Sequence, residues 1–436
     1  MSSLLVGLLI LIGFFFLLVA GLPVAFAAGA SGIIYCFIVL GPPGLSIALL
    51  SVYNTMNSFV LIAIPFFIFM AAILQHSGIA EELYDSMSEW AGNVKGGLAM
   101  ATVVVCTIFA AMSGVIGAAI VTMSLVALPS MLDRGYSKHL AMGSIMASGS
   151  LAMLIPPSIL FILYGTVAGE SIGQLYLGGL VPGILLSGLY ILYIGVRCSL
   201  QPTIAPAKVK HISFASKLRS LRSAIGPVII IAMVLGSMFL GMATASEAAA
   251  LGAIGALIIA GIRRKLTVRM LKEASYQTAK ASAMVAWIVV GAGFFSQVFT
   301  LAGTVAALQR LLSEAGLHPW TILVMMQVVI FVAGCLIDDV AIIMLFAPLF
   351  VAILKAVTTF DLLWFGVVFN INLQLSLLTP PFGFALFYMR GMAPSGTNMG
   401  DVYRSAIPFI IIQGIVLLLA LAYPGMCTWL PRKVFS

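Results

Sequence analysis

Two stretches of this sequence place small polar residues inside apolar runs and follow them with two consecutive prolines. The first covers residues 148–158 and the second covers residues 370–381, each with one Pro-Pro pair. Proline removes a backbone donor and disrupts a helix, so the carbonyl groups that it frees within a membrane must face protein, water or an ion. The sequence therefore predicts two broken membrane helices at a functional site.

The polar groups near both breaks are oxygen ligands of the kind that a hard cation prefers. Hydroxyl, carbonyl and carboxylate oxygens bind such ions, and unwound carbonyls coordinate coupling cations in secondary transporters. We therefore predict a sodium site with ligands from Ser113, Gly114, Ser148, Gly149 and Ser150 in the first half, and an ion site with ligands from Asp338, Asp339, Asn372 and Thr379 in the second. The substrate is expected between the halves, near Pro156, Pro157, Ser158, Gln374, Pro380 and Pro381.

These residues also have simpler explanations. Glycine and serine allow membrane helices to pack closely, and an aspartate can cap the N-terminus of a half-helix instead of binding an ion. For Asp338 and Asp339 the cost of an ionisable group within a membrane favours the ion site. Protonation of either aspartate is the alternative to sodium coupling.

The sequence argues against an enzyme. Intramembrane proteases place two catalytic aspartates on separate helices, whereas Asp338 and Asp339 are adjacent. The chain contains neither a His-Glu-x-x-His metal motif nor a Gly-Lys-Ser/Thr phosphate loop. We therefore predict a non-enzymatic protein that does not hydrolyse ATP by itself.

Composition assigns the chain to a membrane. Of its 436 residues, 62% are hydrophobic and 8% are charged, and the mean hydropathy is +1.19. This balance lies far outside the range of soluble globular proteins. Each crossing needs about 20 apolar residues, so the length allows roughly ten to fourteen membrane elements. We predict an all-α polytopic membrane protein without a separate soluble domain.

Positive charge is concentrated in two short segments. Residues 208–222 and 263–280 hold 11 of the 21 Lys and Arg residues. Basic loops stay on the cytoplasmic side during insertion, so both segments are expected to be cytoplasmic loops. A nucleic-acid partner is excluded, because no basic face interleaved with aromatic residues lies outside the apolar runs.

Two apolar runs are too long for a single straight crossing. As one helix, residues 97–131 would measure roughly 50 Å against a hydrocarbon core of about 30 Å, and residues 320–353 are similar. Polar residues in the middle of each run predict two re-entrant hairpins, which we place at residues 98–131 and 320–355. Each hairpin is followed by one of the broken spans, predicted at residues 138–167 and 362–390.

The second half of the chain repeats the plan of the first half. The two Pro-Pro pairs are separated by 224 positions, and each half contains five predicted spans and one hairpin, about ten spans in total. Because the first half crosses the membrane an odd number of times, the second half begins on the opposite side of the membrane. This arrangement predicts an inverted repeat. The halves are residues 1–200 and 226–436. A basic interfacial helix at residues 201–225 links them on the cytoplasmic side, with a solvated loop as the alternative.

Four motifs resemble one transporter family, namely residues 111–114, 128–136, 146–150 and 154–158. In these motifs, and over nearly its whole length, the chain resembles the large membrane subunit of tripartite ATP-independent periplasmic (TRAP) transporters. The region from residue 369 to residue 388 is similar to the branch labelled for mannitol, chloroaromatic acids or 2-oxo acids. One departure concerns Ala119, which stands where many relatives carry an aspartate.

The resemblance implies sodium-coupled import of an organic acid by an elevator mechanism. It also implies two protein partners, a periplasmic substrate-binding (P) protein that delivers the ligand and a small membrane (Q) subunit that braces the scaffold. The implied location is the bacterial inner membrane, with several crossings of the lipid bilayer. By motif, the first sodium site would use the tip at Ser113 and Gly114, and the second would use the Asp338 region.

Overall fold

The computed structural model describes residues 3–91, 94–206, 220 and 222–435, and this part of the chain contains α-helices and short 3₁₀ turns but no strand. The first half comprises α1 (Ser3–Val19), α2 (Val24–Leu40), α3 (Gly44–Met56), α4 (Ala63–His76), α5 (Ile79–Ala91), α6 (Gly97–Ser113), α7 (Ile116–Leu132), α8 (Lys138–Gly149), α9 (Ile159–Ala168) and α10 (Ile172–Leu200). The second half comprises α11 (Arg222–Phe239), α12 (Ala245–Ile262), α13 (Val268–Leu301), α14 (Thr304–Glu314), α15 (Pro319–Gly334), α16 (Asp339–Val357), α17 (Leu362–Leu378), α18 (Phe384–Met392), α19 (Met399–Ala422) and α20 (Gly425–Val434).

The all-helical membrane class predicted from composition is confirmed. Seven helical segments in the described ranges are long and apolar enough to cross a membrane, and several shorter apolar helices accompany them. Leucine, isoleucine and phenylalanine side chains are exposed along these helices, as on α1 and α2. A lipid-facing helix surface of this kind needs no polar cover.

Helix positions in the two halves match when the second half is shifted back by about 225 positions. With this shift, α13 covers residues 43–76, which is the range of α3 and α4 together. In the same way α14 falls on α5, and α18 falls on α9. One long helix of the second half thus corresponds to a helix that is interrupted near Asn57 and Ser58 in the first half.

Two segments differ from their sequence-based descriptions, and most of a third cannot be compared. The basic segment 263–280 is mostly helical, because Thr267 caps α13 by accepting a hydrogen bond from Met270 N at 3.1 Å. The predicted last span divides into α19 and α20 around Pro424. Most of the predicted basic linker, residues 207–219 and 221, lies outside the described residues.

Two groups of helices meet at α13. On one side α13 packs against α2 and α4, and on the other it packs against α16. The pairs α6 with α7 and α15 with α16 each form an antiparallel hairpin with a very short connection, and each hairpin contacts the broken helix that follows it. The interruptions of both hairpins and of both broken helices are therefore held in the same region of the molecule.

Candidate substrate and ion site

The tip of the first hairpin is the two-residue connection between α6 and α7. Gly114 adopts a left-handed conformation, with φ of 60°, and its N–H donates to Ala110 O at 3.2 Å. A Cβ atom at this position would overlap Pro157 O, so the tip lies directly against the first Pro-Pro break. The neighbouring Ser113 is fully buried, and its Oγ has no hydrogen-bond partner in the described part of the chain.

The first break runs from the end of α8 to the start of α9. It passes through a 3₁₀ turn, Ser150–Met153, and then through a non-helical segment that contains the two prolines. Its serines donate to nearby carbonyls: Ser148 Oγ to Ser144 O at 2.5 Å, Ser150 Oγ to Ala147 O at 2.8 Å, and Ser158 Oγ to Met153 O at 2.7 Å. Each hydroxyl oxygen also carries lone pairs that can accept a hydrogen bond or bind an ion, and Ser150 Oγ uses one of them to accept from Gln374 Nε2 at 3.1 Å.

The tip of the second hairpin carries the two aspartates. Asp338 is the N-cap of α16, and its Oδ1 accepts a hydrogen bond from Val340 N at 3.1 Å. Asp339 Oδ1 accepts from the same N–H at 2.9 Å. Helix capping, the simpler explanation of this pair, is thus realised in the structure. A carboxylate has further lone pairs beyond a single capping bond, so capping does not use up its capacity to bind a cation.

The second break follows α17. Thr379 caps the helix and donates its hydroxyl to Leu375 O at 2.7 Å, and a non-helical turn then leads to α18. Asn372 Nδ2 donates to both the backbone oxygen (2.7 Å) and the side-chain oxygen (2.8 Å) of Gln327 in α15. Asn372 Oδ1 is buried and has no partner among the described residues. The broken helix and its hairpin are therefore joined by a buried amide pair.

Both hairpin tips open onto one cavity of about 230 Å³. Gly114 lines it from the first tip, and Asp338 and Asp339 line it from the second. Tyr388 of α18 lies on the same wall and packs its ring against Gly117. The helix α13 contributes an apolar part of the lining through Ala281, Met284 and Val285. The cavity thus combines two carboxyl groups, a phenol and exposed backbone with an apolar surface.

Comparison with known proteins identifies the family. Residues 11–426 match the family described as the tripartite ATP-independent periplasmic transporter, DctM component. The chain belongs to this family. It is therefore a large permease subunit of the TRAP type and an integral membrane protein. The substrate branch suggested by residues 369–388 stays a prediction.

Several characterised relatives extend over most of the chain. The C4-dicarboxylate TRAP transporter large permease protein of Pseudomonas aeruginosa is 29% identical over 407 residues, which cover 93% of each chain. The isethionate TRAP transporter permease protein DctMQ of Oleidesulfovibrio alaskensis is also 29% identical, over 96% of this chain and 65% of its own length. The sialic acid permease SiaM of Vibrio cholerae is 27% identical over 96% of this chain and 97% of its own.

Two solved transporters share the fold. The YdaH transporter of Alcanivorax borkumensis superposes with a TM-score of 0.62 at 14% identity, covering 89% of this chain and 90% of that one. MtrF of Neisseria gonorrhoeae superposes with a TM-score of 0.60 at 12% identity, covering 90% and 85%. At this level of identity the likeness concerns the architecture only.

The residues predicted to contact substrate do not line the cavity of this permease. Pro156, Pro157 and Ser158 are buried behind the first tip. Gln374 is also buried, whereas Pro380 is partly exposed and Pro381 is exposed outside the cavity. Both Pro-Pro bonds are cis.

Sequence reasoning did not select the residues that form most of the cavity wall. Tyr388 lies within residues 369–388, the region that resembles one branch of the family. Its position about one helical turn after a helix break could have identified it as a candidate site residue. The sequence could not identify Ala281 and Met284 as cavity residues, because apolar residues are expected on a membrane helix whether it faces lipid or substrate. Ala119, the departure from the family pattern, is fully buried in α7 close to the first tip.

Proposed function

We propose that this permease imports an organic acid together with sodium ions. The observation that supports this function most strongly is the cavity into which both hairpin tips open, because it brings the two candidate ion regions together around one space. Inverted repeats with broken helices that meet in this way recur in secondary transporters. The organic-acid class is supported by the relatives, which are named for C4-dicarboxylates, isethionate and sialic acid.

The charge of the cavity gives a physical reason for coupling. An anionic substrate would be repelled by Asp338 and Asp339, since like charges a few ångströms apart in a poorly solvated site interact by several kcal/mol. A bound cation removes this repulsion, so ion and substrate bind best together. The first ion would be held near Ser113, Gly114 and residues 148–150. The second would be held near the two aspartates, with Asn372 and Thr379 as further candidate ligands.

The arrangement of the helices supports an elevator movement. Both hairpins and both broken helices would move as one unit against the scaffold, of which α13 forms the cavity wall. In other positions of this unit Pro156, Pro157, Ser158, Gln374, Pro380 and Pro381 are the candidate substrate contacts. A periplasmic binding protein would deliver the substrate, and a small membrane subunit would brace the scaffold in the bacterial inner membrane.

Transport assays in proteoliposomes test sodium coupling. The labelled organic acid is first chosen by screening the partner binding protein against C4-dicarboxylates, 2-oxo acids and sulfonates. All components are then reconstituted, and uptake is measured with a sodium gradient and no pH gradient. We expect uptake to follow the sodium gradient. Uptake that requires a pH gradient and ignores sodium would instead support proton coupling through Asp338 or Asp339.

A further inference from the structure

One buried hydrogen bond joins the two broken helices directly. Gln374 Nε2 in α17 donates to Ser150 Oγ in the first break at 3.1 Å, and both side chains are fully buried. The two residues are separated by 224 positions, the same separation as that between Pro156 and Pro380. They are therefore equivalent positions of the repeat. Two equivalent positions contact each other only where they lie close to the axis that relates the halves, so this bond marks the centre of the molecule.

Each partner of this bond is also tied to one of the two proposed ion sites. Ser150 begins the 3₁₀ turn that packs against both helices of the first hairpin, and its own proton is donated to Ala147 O at 2.8 Å. Gln374 lies on the last turns of α17, shortly before Thr379 and the second break. A shift of the backbone at residues 148–150 therefore moves Ser150 Oγ, the acceptor of the hydrogen bond from Gln374.

The bond leaves the amide of Gln374 only partly satisfied. Its Oε1 is buried and has no hydrogen-bond partner in the described part of the chain. A buried amide oxygen without a donor is unfavourable, so an arrangement of the break that supplies a donor would gain stability. The link between the halves is consequently one that a rearrangement of either break can strengthen or weaken.

We infer that Gln374 is a positioning residue that couples the two sodium sites. When an ion orders the backbone around Ser148 and Ser150, the hydrogen bond fixes Gln374 and with it the end of α17 that leads to Thr379. Binding at one site then favours binding at the other, and by linkage the effect is reciprocal. This inference rests on the proposed sodium coupling. It adds that the ions bind cooperatively and that the cooperativity depends on one side chain.

The test measures how initial uptake rates depend on sodium concentration in proteoliposomes containing the complete transporter and the organic acid selected above. The variants are Gln374→Leu, Ser150→Ala and the double variant. We expect the wild type to show a Hill coefficient above 1 and each single variant to approach 1, with half-maximal uptake at about fivefold more sodium or higher. Because both substitutions remove the same bond, the double variant should lose no further cooperativity.

Asn370→Leu provides a matched control. Asn370 is a fully buried amide in the same helix, its Oδ1 is likewise without a partner among the described residues, and its Nδ2 donates to Gly366 O within that helix at 2.9 Å. This variant should keep the wild-type Hill coefficient. Gel filtration checks that each variant is folded. If Gln374→Leu is not, Gln374→Met removes the same donor with a side chain of closer shape and leaves the proposed ligand Ser150 in place.

The outcomes separate the inference from the proposed function. Wild-type uptake that does not depend on sodium would contradict the proposed function, and the inference with it. Sodium-dependent uptake with a Hill coefficient of 1 in the wild type would contradict the inference alone. So would an unchanged Hill coefficient in folded Gln374→Leu, or an equal loss of cooperativity in Asn370→Leu.

Discussion

Asp338 combines two roles at the tip of the second hairpin. It caps α16, and its carboxyl group faces the cavity between the tips. The cap requires only a side-chain acceptor, whereas a bound cation is stabilised further by a full negative charge. Asparagine caps a helix about as well as aspartate does, so the two roles can be separated by one substitution.

We predict that Asp338→Asn raises the sodium concentration for half-maximal uptake by about tenfold or more, because a buried or half-buried charge near a cation contributes several kcal/mol. The thermal stability of the purified protein should change little. Sodium titrations of uptake and melting curves measure the two effects.

Asp361→Asn is the control for this prediction. Asp361 caps α17 in the same way, accepting from Leu363 N at 2.8 Å, and lies away from the cavity. Its substitution should leave the sodium dependence unchanged. An unchanged sodium dependence in Asp338→Asn would assign Asp338 to helix capping alone.

At the scale of helices, the second hairpin and its broken helix approach each other at Gly334 and Ser376. A Cβ atom on Gly334, at the end of α15, would overlap the side chain of Ser376 in α17. The same two helices are joined by the buried pair Gln327 and Asn372. Small residues allow such close packing of membrane helices, where lipid provides no hydrophobic force between them.

We predict that Gly334→Ala destabilises the protein by about 1–3 kcal/mol, the usual cost of overpacking. Thermal unfolding of the purified protein should show a lower melting temperature, and Ser376→Gly in the same chain should recover part of the loss.

Gly236→Ala in α11 is the matched control for this packing effect, because a Cβ atom there has no neighbour within 4 Å in the described part of the chain. It should melt at the wild-type temperature or slightly above it, because alanine forms helix more readily than glycine. If Gly334→Ala lowers the melting temperature and Ser376→Gly in the same chain does not raise it again, the contact between these two residues is not the cause.

At the scale of the whole molecule, the cavity lies between two groups of helices. Gly114 and Val115 reach it from the first tip, and Met284 reaches it from α13. If the proposed elevator movement occurs, the tips must slide along α13 during every transport cycle. A covalent link between the two walls would stop that movement.

We predict that Val115→Cys combined with Met284→Cys loses at least 90% of its uptake after treatment with a short bis-methanethiosulfonate reagent, because the link fixes the tip to α13. Dithiothreitol should restore uptake. Thiol counting on the same sample measures the extent of linking.

The two single-cysteine variants treated with the same reagent are the controls, and they also report any reaction of the five native cysteines, which are all buried. They should keep their uptake. If the fully linked double variant transports at the untreated rate, the first tip does not move relative to α13 during transport. That result would contradict the elevator proposal.

The sequence by itself determined the class of the molecule and the places where its helices are interrupted. Composition requires a lipid environment, and the structure ends α6 at Ser113 and starts α16 at Asp339, where polar residues interrupt the long apolar runs. The two Pro-Pro pairs fall between α8 and α9 and between α17 and α18. These features are local, because a proline or a buried charge disrupts its own helix whatever the rest of the chain does.

Only the tertiary structure decided which of these residues meet. The pairing of Gln374 with Ser150 joins residues 224 positions apart, and the apolar wall around Met284 comes from a helix that no polar residue distinguishes at that point. In lipid, the surfaces facing the bilayer, a neighbouring helix and a substrate can all be apolar, so hydropathy does not tell them apart. Packing between the two halves makes that distinction, and it placed Tyr388 in the lining of the cavity and left the predicted prolines outside that lining.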